Sequence, residues 1–324
     1  MSALSDQLVT FAILAYLVAM ICHAVEYALG NARAVVPAAP ARELVGAGVG
    51  GSGGPVDAPA TPAAPARVSR SGDRARLAGR VAVGFTALAA ALHLAATVTR
   101  GVAADRMPWG NMYEFVLTIS LICTVAWLAV LWKRPSLRRL GLFLTLVMVL
   151  LLAFAELKLY VEIVPLMPAL KSAWFIVHVS TIGFSSAIFL LGAVPAIAFL
   201  IRNGYEQGKR SFPYTLAQRL PGAASLERLT FVLHAFSFPI FTFAVIAGAI
   251  WAESAWGRPW GWDPKETWAF ISWVVYAGYL HARATPSVKR NVATWIAIVG
   301  CLTMLMNLFG VNFFFTGLHS YAGM

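Results

Sequence analysis

Apolar residues run almost unbroken for about twenty positions at a time, at 7–29, 80–99, 111–132, 140–157, 173–201, 230–251, 267–283 and 291–311. A helix of about 20 such residues crosses the hydrocarbon core of a bilayer. The pattern predicts an all-α protein, a polytopic integral membrane bundle of about eight transmembrane helices. Between the runs, Lys and Arg alternate from one connection to the next. Seven lie in the segment between the first two runs (Arg33, Arg42, Arg67, Arg70, Arg74, Arg76 and Arg80). Four more lie at 133–139, five at 202–228 and three at 283–290. The opposite set has six: Arg100, Arg106, Lys158, Lys171, Arg258 and Lys265. Basic residues stay on the cytoplasmic side, so both termini and the 252–266 connection are expected outside.

The start, Met-Ser-Ala-Leu-Ser-Asp, lacks the basic opening of a cleaved signal, and the positive charge follows the first run. That reads as a retained span with its start outside. Residues from Asn31 to about Gly72 are rich in Ala, Pro, Gly and Val, without an apolar period. They read as a disordered cytoplasmic linker. Three parts are therefore expected: a first helix at 1–29, a linker at 30–79 and a membrane domain at 80–324.

Composition agrees with the pattern: 59% of residues are hydrophobic and 12% charged. A net charge of +11 could speak for nucleic acid. Here the cations sit in short connections between spans, where topology accounts for them, and no nucleic-acid partner is expected. The three cysteines, Cys22, Cys123 and Cys301, fall inside apolar runs and form no CxxC pair. Zinc binding or thiol exchange by this chain is therefore not expected.

The chemistry concentrates in 251–268, Trp-Ala-Glu-Ser-Ala-Trp-Gly-Arg-Pro-Trp-Gly-Trp-Asp-Pro-Lys-Glu-Thr-Trp. Five of the eleven tryptophans are here: Trp251, Trp256, Trp260, Trp262 and Trp268. Indoles offer broad apolar faces with one N–H each. Gly257 and Gly261 would let the backbone approach a bulky partner. A large planar ligand with anionic groups, such as a porphyrin, suits such a surface. Arg258 and Lys265 could meet its carboxylates, with Arg100 and Arg106 nearby. Asp263, Pro264 and Glu266 also read as N-cap, N1 and N3 of the next helix, a capping box, and that role alone could explain them.

The stretch WGRPWGWDPKE resembles the tryptophan-rich signature of haem-handling proteins of cytochrome c biogenesis. Two further segments are similar to external motifs of that family: Pro108-Trp-Gly-Asn111-Met-Tyr113-Glu114, and Pro168-Ala-Leu170 ahead of Trp174. The likeness extends over about 80–324, and the first helix and linker are covered poorly. The chain resembles the CcsA/ResC-type subunit of the system II cytochrome c synthase. The resemblance implies haem b held in the membrane, moved to the outer face and presented to apocytochrome c, whose Cys-x-x-Cys-His segment receives it through thioethers. The implied partners are a CcsB/ResB-type membrane subunit, a thioredoxin-like thiol reductant and the lipid bilayer. The implied location is the bacterial plasma membrane. A haem exporter without attachment activity and a b-type electron-transfer cytochrome remain as alternatives.

Six histidines are present. His178, near the outer end of the fifth span, and His319, after the last span, are predicted on the side of the Trp-rich segment. Imidazole is a standard axial ligand of haem iron, and the resemblance makes these two the outer pair. It makes His281, at the inner end of the seventh span, ligand of a second, inner site whose mate comes from the partner subunit. Hydrogen-bonded interfacial histidines would look the same in sequence. His23, one turn from Glu26, and His234 lie near the inner face, and His93 lies mid-span; none is assigned a role.

Overall fold

The computed structural model describes residues 2–30 and 70–319. Most of the expected linker lies outside the described residues. All regular structure among them is helical. The long helices are α1 (Ser2–Leu29), α2 (Arg70–Ala104), α3 (Met112–Lys133), α4 (Gly141–Phe154), α5 (Ala173–Glu206), α6 (Ala223–Trp256), α7 (Pro264–Ala284) and α8 (Arg290–Leu305). A π turn, Ala155–Leu159, extends α4; another, Met306–Gly310, and a last turn, Val311–Phe314, extend α8.

The helix ends pair in two layers, and so fix an up-and-down bundle. At one end the starts of α1, α3, α5 and α7 meet the ends of α2, α4, α6 and α8. There Tyr160 donates to Asp6 at 3.0 Å, Tyr113 to Glu156 at 2.6 Å and Asn312 to Met112 Sδ at 2.9 Å. At the other end Arg138 pairs with Glu26, Arg219 bonds the Gly30 carbonyl at 2.9 Å, and Asn203 bonds Asn291 at 2.7 Å. These are the tryptophan end and the basic end.

Seven of the helices are long and apolar enough to cross a membrane. The eighth, α7, falls short in apolarity because Lys265, Glu266, His281 and Arg283 crowd its two ends. It nevertheless runs between the same two layers. Lys265 Nζ donates to the Asn307 carbonyl near the end of α8, and Arg283 pairs with Glu227 at the start of α6. Its 21 residues reach about 30 Å at about 1.5 Å each, the thickness of the hydrocarbon core.

Two boundaries depart from the apolar pattern. Helix α2 begins at Arg70, not at 80, so the last part of the expected linker is helical. Packing extends it: a Cβ at Gly79 would lie 2.4 Å from Arg138 Nε and Glu26 Oε1, so α2 passes directly over that ion pair. Helix α6 continues to Trp256, past the end of its apolar run. The Trp-rich segment is thus a helix end, a short turn at 257–263, and a helix start.

Large apolar side chains such as Phe11, Leu14, Leu150 and Leu302 are exposed along the helices. On a soluble protein that area would be a liability; in lipid it is the natural exterior. Three of the histidines lie inside, each against a neighbour. His93 packs edge-on against Tyr16, and His23 faces Glu26 at 3.4 Å. His234 donates from Nδ1 to the Thr230 carbonyl at 2.7 Å and sits between Tyr276 and Tyr279.

Candidate functional site

The turn at the tryptophan end is set by its caps. Gly257, at φ 70°, ends α6 in the left-handed conformation, and its N–H donates to the Glu253 carbonyl at 2.9 Å. That conformation is what a glycine here serves. Asp263 and Glu266 form the capping box of α7 with Pro264 in the first turn. Glu266 Oε2 accepts the N–H groups of Gly261 at 2.8 Å and Asp263 at 3.1 Å. Held between these bonds, Trp262 adopts φ 57°, a region bulky residues rarely enter.

Asp263 does more than cap. Its Oδ1 accepts the Leu318 N–H at 2.7 Å, and its Oδ2 accepts Nδ1 of His319, also at 2.7 Å. The carboxylate thereby ties the segment after α8 to the start of α7. Burial works to raise the Asp263 pKa, but the hydrogen bonds from His319 and Leu318 outweigh it and hold the group below its usual range. A depressed carboxylate stabilises the fold above its unfolded pKa and loses that contribution as pH falls through the folded one. The His319 tie is therefore expected intact at neutral pH and to yield only below the ordinary aspartate range. Asp263→Asn keeps a capping oxygen and should flatten the acid limb of a thermal-stability profile taken against pH. Parallel acid limbs in wild type and variant would contradict this.

His178 comes from the first turns of α5, whose N-cap is Ser172. Its Nδ1 donates to the Ala244 carbonyl of α6 at 2.8 Å. Its ring stacks on Trp251, with centroids 6.0 Å apart and planes 11° apart. Gly248 makes this approach possible, since a Cβ there would lie 2.6 Å from the imidazole. The ring of His319 stands edge-on to the same Trp251 at 6.1 Å and to Trp256 at 4.9 Å. Two imidazoles from distant parts of the sequence thus share one indole. Each has Nδ1 held by an oxygen acceptor, which makes Nε2 the basic nitrogen.

Both imidazoles line a cavity of about 1240 Å³, counting the open space at its mouth. Trp109, Trp251, Trp256 and Trp260 form its aromatic wall, and Phe175 and Phe241 lie among the apolar residues further round it. Of the predicted residues, Asn111, Lys265 and Glu266 also line it. Trp262 turns away and is 63% exposed, packing on Trp260 and Phe270. Trp268 is not among the lining residues. Arg258 is exposed outside the cavity and folds over Gly261, where a Cβ would strike its guanidinium. Gly261 therefore makes room for this turn's own arginine.

Arg100 and Arg106 are also spent. The buried Glu114 accepts from Arg100 Nε at 3.1 Å, Arg106 Nη1 at 2.5 Å and the Gly110 N–H at 2.8 Å. Tyr113 lies under the Arg100 guanidinium, 4.6 Å from Cζ to the ring centroid. Asn111 caps α3 by accepting the Glu114 N–H at 2.9 Å, and the Pro108 carbonyl accepts from Thr118 at 3.0 Å. The motif of Pro108, Asn111, Tyr113 and Glu114 thus braces the strip that presents Trp109 and Asn111 to the cavity.

His281 lies away from all this, exposed in the last turn of α7 at the basic end. Trp109, Phe175 and Asn307 are cavity residues that the sequence reading did not single out. Trp109 stood inside a noted motif; the other two carry no sequence signal.

An eight-helix membrane bundle with an indole-walled cavity at one end, flanked by two anchored imidazoles, defines the class. The chain belongs to the Cytochrome C assembly protein family, whose profile matches residues 109–319. It is 34% identical over 241 residues to the cytochrome c biogenesis protein CcsA of Guillardia theta, covering 69% of this chain and 79% of that one. It is 33% identical over 267 residues to CcsA of Gloeothece citriformis, with 68% and 81% covered. A solved structure, the cytochrome c haem lyase CcmF, shares the fold at a TM-score of 0.63 and 14% identity, over 95% of this chain and 46% of that chain. The chain accordingly works in cytochrome c biogenesis.

Proposed function

We propose that the cavity holds haem b as substrate, with His178 and His319 as axial ligands and Trp251, Trp256 and Trp260 against the porphyrin, and presents it to apocytochrome c. The observation that carries this reading is the pair of imidazoles on one indole, each with Nδ1 bonded to a carbonyl or carboxylate oxygen. Metal-binding histidines characteristically donate their second N–H to such an acceptor, which orients the ring and raises its basicity. The apolar, aromatic wall suits a macrocycle. The alternation of basic connections supports an extracytoplasmic position for this end in a bacterial plasma membrane, where a secreted apocytochrome would arrive.

Attachment adds each cysteine S–H across a vinyl double bond. A C–S bond forms, the hydrogen moves to the terminal vinyl carbon, and no electrons are gained or lost. This chain therefore needs no redox cysteine of its own. Its contribution is to fix the porphyrin edge in reach of the thiols, and such positioning supplies several kcal/mol of a barrier, about 7–11 at best. A thioredoxin-like protein keeps the thiols reduced.

His281 serves a second site at the basic end. It is exposed on the same side of α7 as Phe270 and Val274, which are 43% and 47% exposed. That open side leaves room for a CcsB/ResB-type subunit, which supplies the mate. His281→Ala is expected to deplete haem from the purified complex; a full Soret band would contradict this inner site.

The test of the whole reading is co-expression with such a subunit and an apocytochrome in cells lacking their own pathway. Covalent haem on the apocytochrome is expected. Haem found only outside the cell, uncoupled to the apocytochrome, would overturn attachment in favour of export.

A further inference from the structure

A porphyrin of this kind carries two carboxylates on one edge, and the cavity must place them. Arg258, Arg100 and Arg106 are turned outward or held by Glu114. Lys265 is different. It lines the cavity, and its Nζ donates to a neutral partner, the Asn307 carbonyl, at 3.1 Å. Among the described residues no carboxylate lies within ion-pair distance of it. The two nearest acids on its helix are engaged elsewhere: Asp263 by Leu318 and His319, Glu266 by the Gly261 and Asp263 N–H groups. Asp263 still offsets part of the lysine charge through space.

A second group points the same way. Asn111 lines the cavity and is 6% exposed. Its Oδ1 is fixed by the helix cap, which assigns the amide orientation, and its Nδ2 is buried with no partner. A buried donor left unmade costs about 1–3 kcal/mol, so a ligand acceptor there is favoured. Contacts through the end of α8 link the two residues. Lys265 reaches α8 at Asn307; one turn further on, Asn312 donates to Met112 Sδ, the neighbour of Asn111, at 2.9 Å.

We propose that Lys265 Nζ and Asn111 Nδ2 form a carboxylate-binding subsite that receives the propionate edge of the porphyrin, turning the vinyl edge away from it. This rests on the reading of the cavity as a porphyrin site. It is tested by titrating the purified full chain with ferric protoporphyrin IX and with its dimethyl ester. Wild type should prefer the free acid. Lys265→Met should weaken the acid about tenfold or more, the worth of a charge-assisted hydrogen bond, and leave the ester unchanged. Asn111→Asp keeps the cap oxygen but replaces the donor with a charge, and should do the same; Lys265→Arg should restore the preference. Equal affinity of wild type for acid and ester, or equal loss of both in Lys265→Met, overturns the subsite. Failure of wild type to bind either compound overturns the porphyrin reading and the subsite with it. Binding that keeps its His178 and His319 dependence but ignores esterification overturns the subsite alone.

Discussion

His178→Ala and His319→Ala are each expected to abolish covalent haem attachment while the protein still reaches the membrane. The two imidazoles meet one indole, yet they are fixed by different parts of the fold. His178 hangs from the Ala244 carbonyl across the α5–α6 contact. His319 hangs from Asp263 at the cap of α7. Neither position has a nearby substitute, because His93, His23 and His234 are packed elsewhere in the bundle. Losing merely an outer partner of a metal ligand lowers affinity by about 10–100-fold, so losing the ligand itself should cut the holocytochrome yield by at least about a hundredfold. Holocytochrome at the wild-type level in either variant would remove that residue from the site.

Glu114→Ala is expected to be the most damaging change to stability. Glu114 is fully buried and pairs with Arg100, itself 1% exposed, and with Arg106. A buried pair adds little over a well-packed apolar isostere, but breaking it leaves uncompensated charge inside, at a cost of about 3–5 kcal/mol. Here one carboxylate serves two guanidinium groups, so the upper part of that range applies. The same change releases the Gly110 N–H and loosens Trp109 and Asn111 in the cavity wall. Thermal unfolding of the detergent-purified protein, followed by size-exclusion chromatography, measures the loss. Asp6→Ala provides the contrast: that carboxylate is partly exposed, lies 3.7 Å from Arg100 and leaves the Glu114 pair intact, so a smaller loss is expected. Equal losses in the two variants would contradict the network.

Much of this architecture was legible in the chain. Every long apolar run is a helix, because in lipid the backbone must satisfy itself and helices do so locally. The capping box of Asp263, Pro264 and Glu266 was legible for the same reason: caps are local chemistry. The ends of α6 and the start of α2 were not, since apolarity marks the hydrocarbon boundary and a helix continues past it wherever neighbours pack. The arginines show the limit most clearly. Arg258, Arg100 and Arg106 look alike in a loop sequence. One is exposed while two are joined to a buried glutamate, and only the three-dimensional pairing separates them. Asn307 gave no signal either, because its carbonyl meets Lys265 from a π turn that no spacing announces. The convergence of His178 and His319 could be expected from the alternation of basic connections and the family resemblance. Their shared contact with Trp251 could not.

The proposed site requires these two imidazoles to hold one iron at the same time. Electron paramagnetic resonance decides this, with wild-type, His178→Ala and His319→Ala proteins each purified haem-depleted in the His281→Ala background and then loaded by direct addition of ferric haem, so that only this site reports. Wild type at both positions should give a low-spin, six-coordinate signal; each further variant should turn high-spin and return to low-spin when imidazole is added. A low-spin signal unchanged by either substitution would contradict the claim.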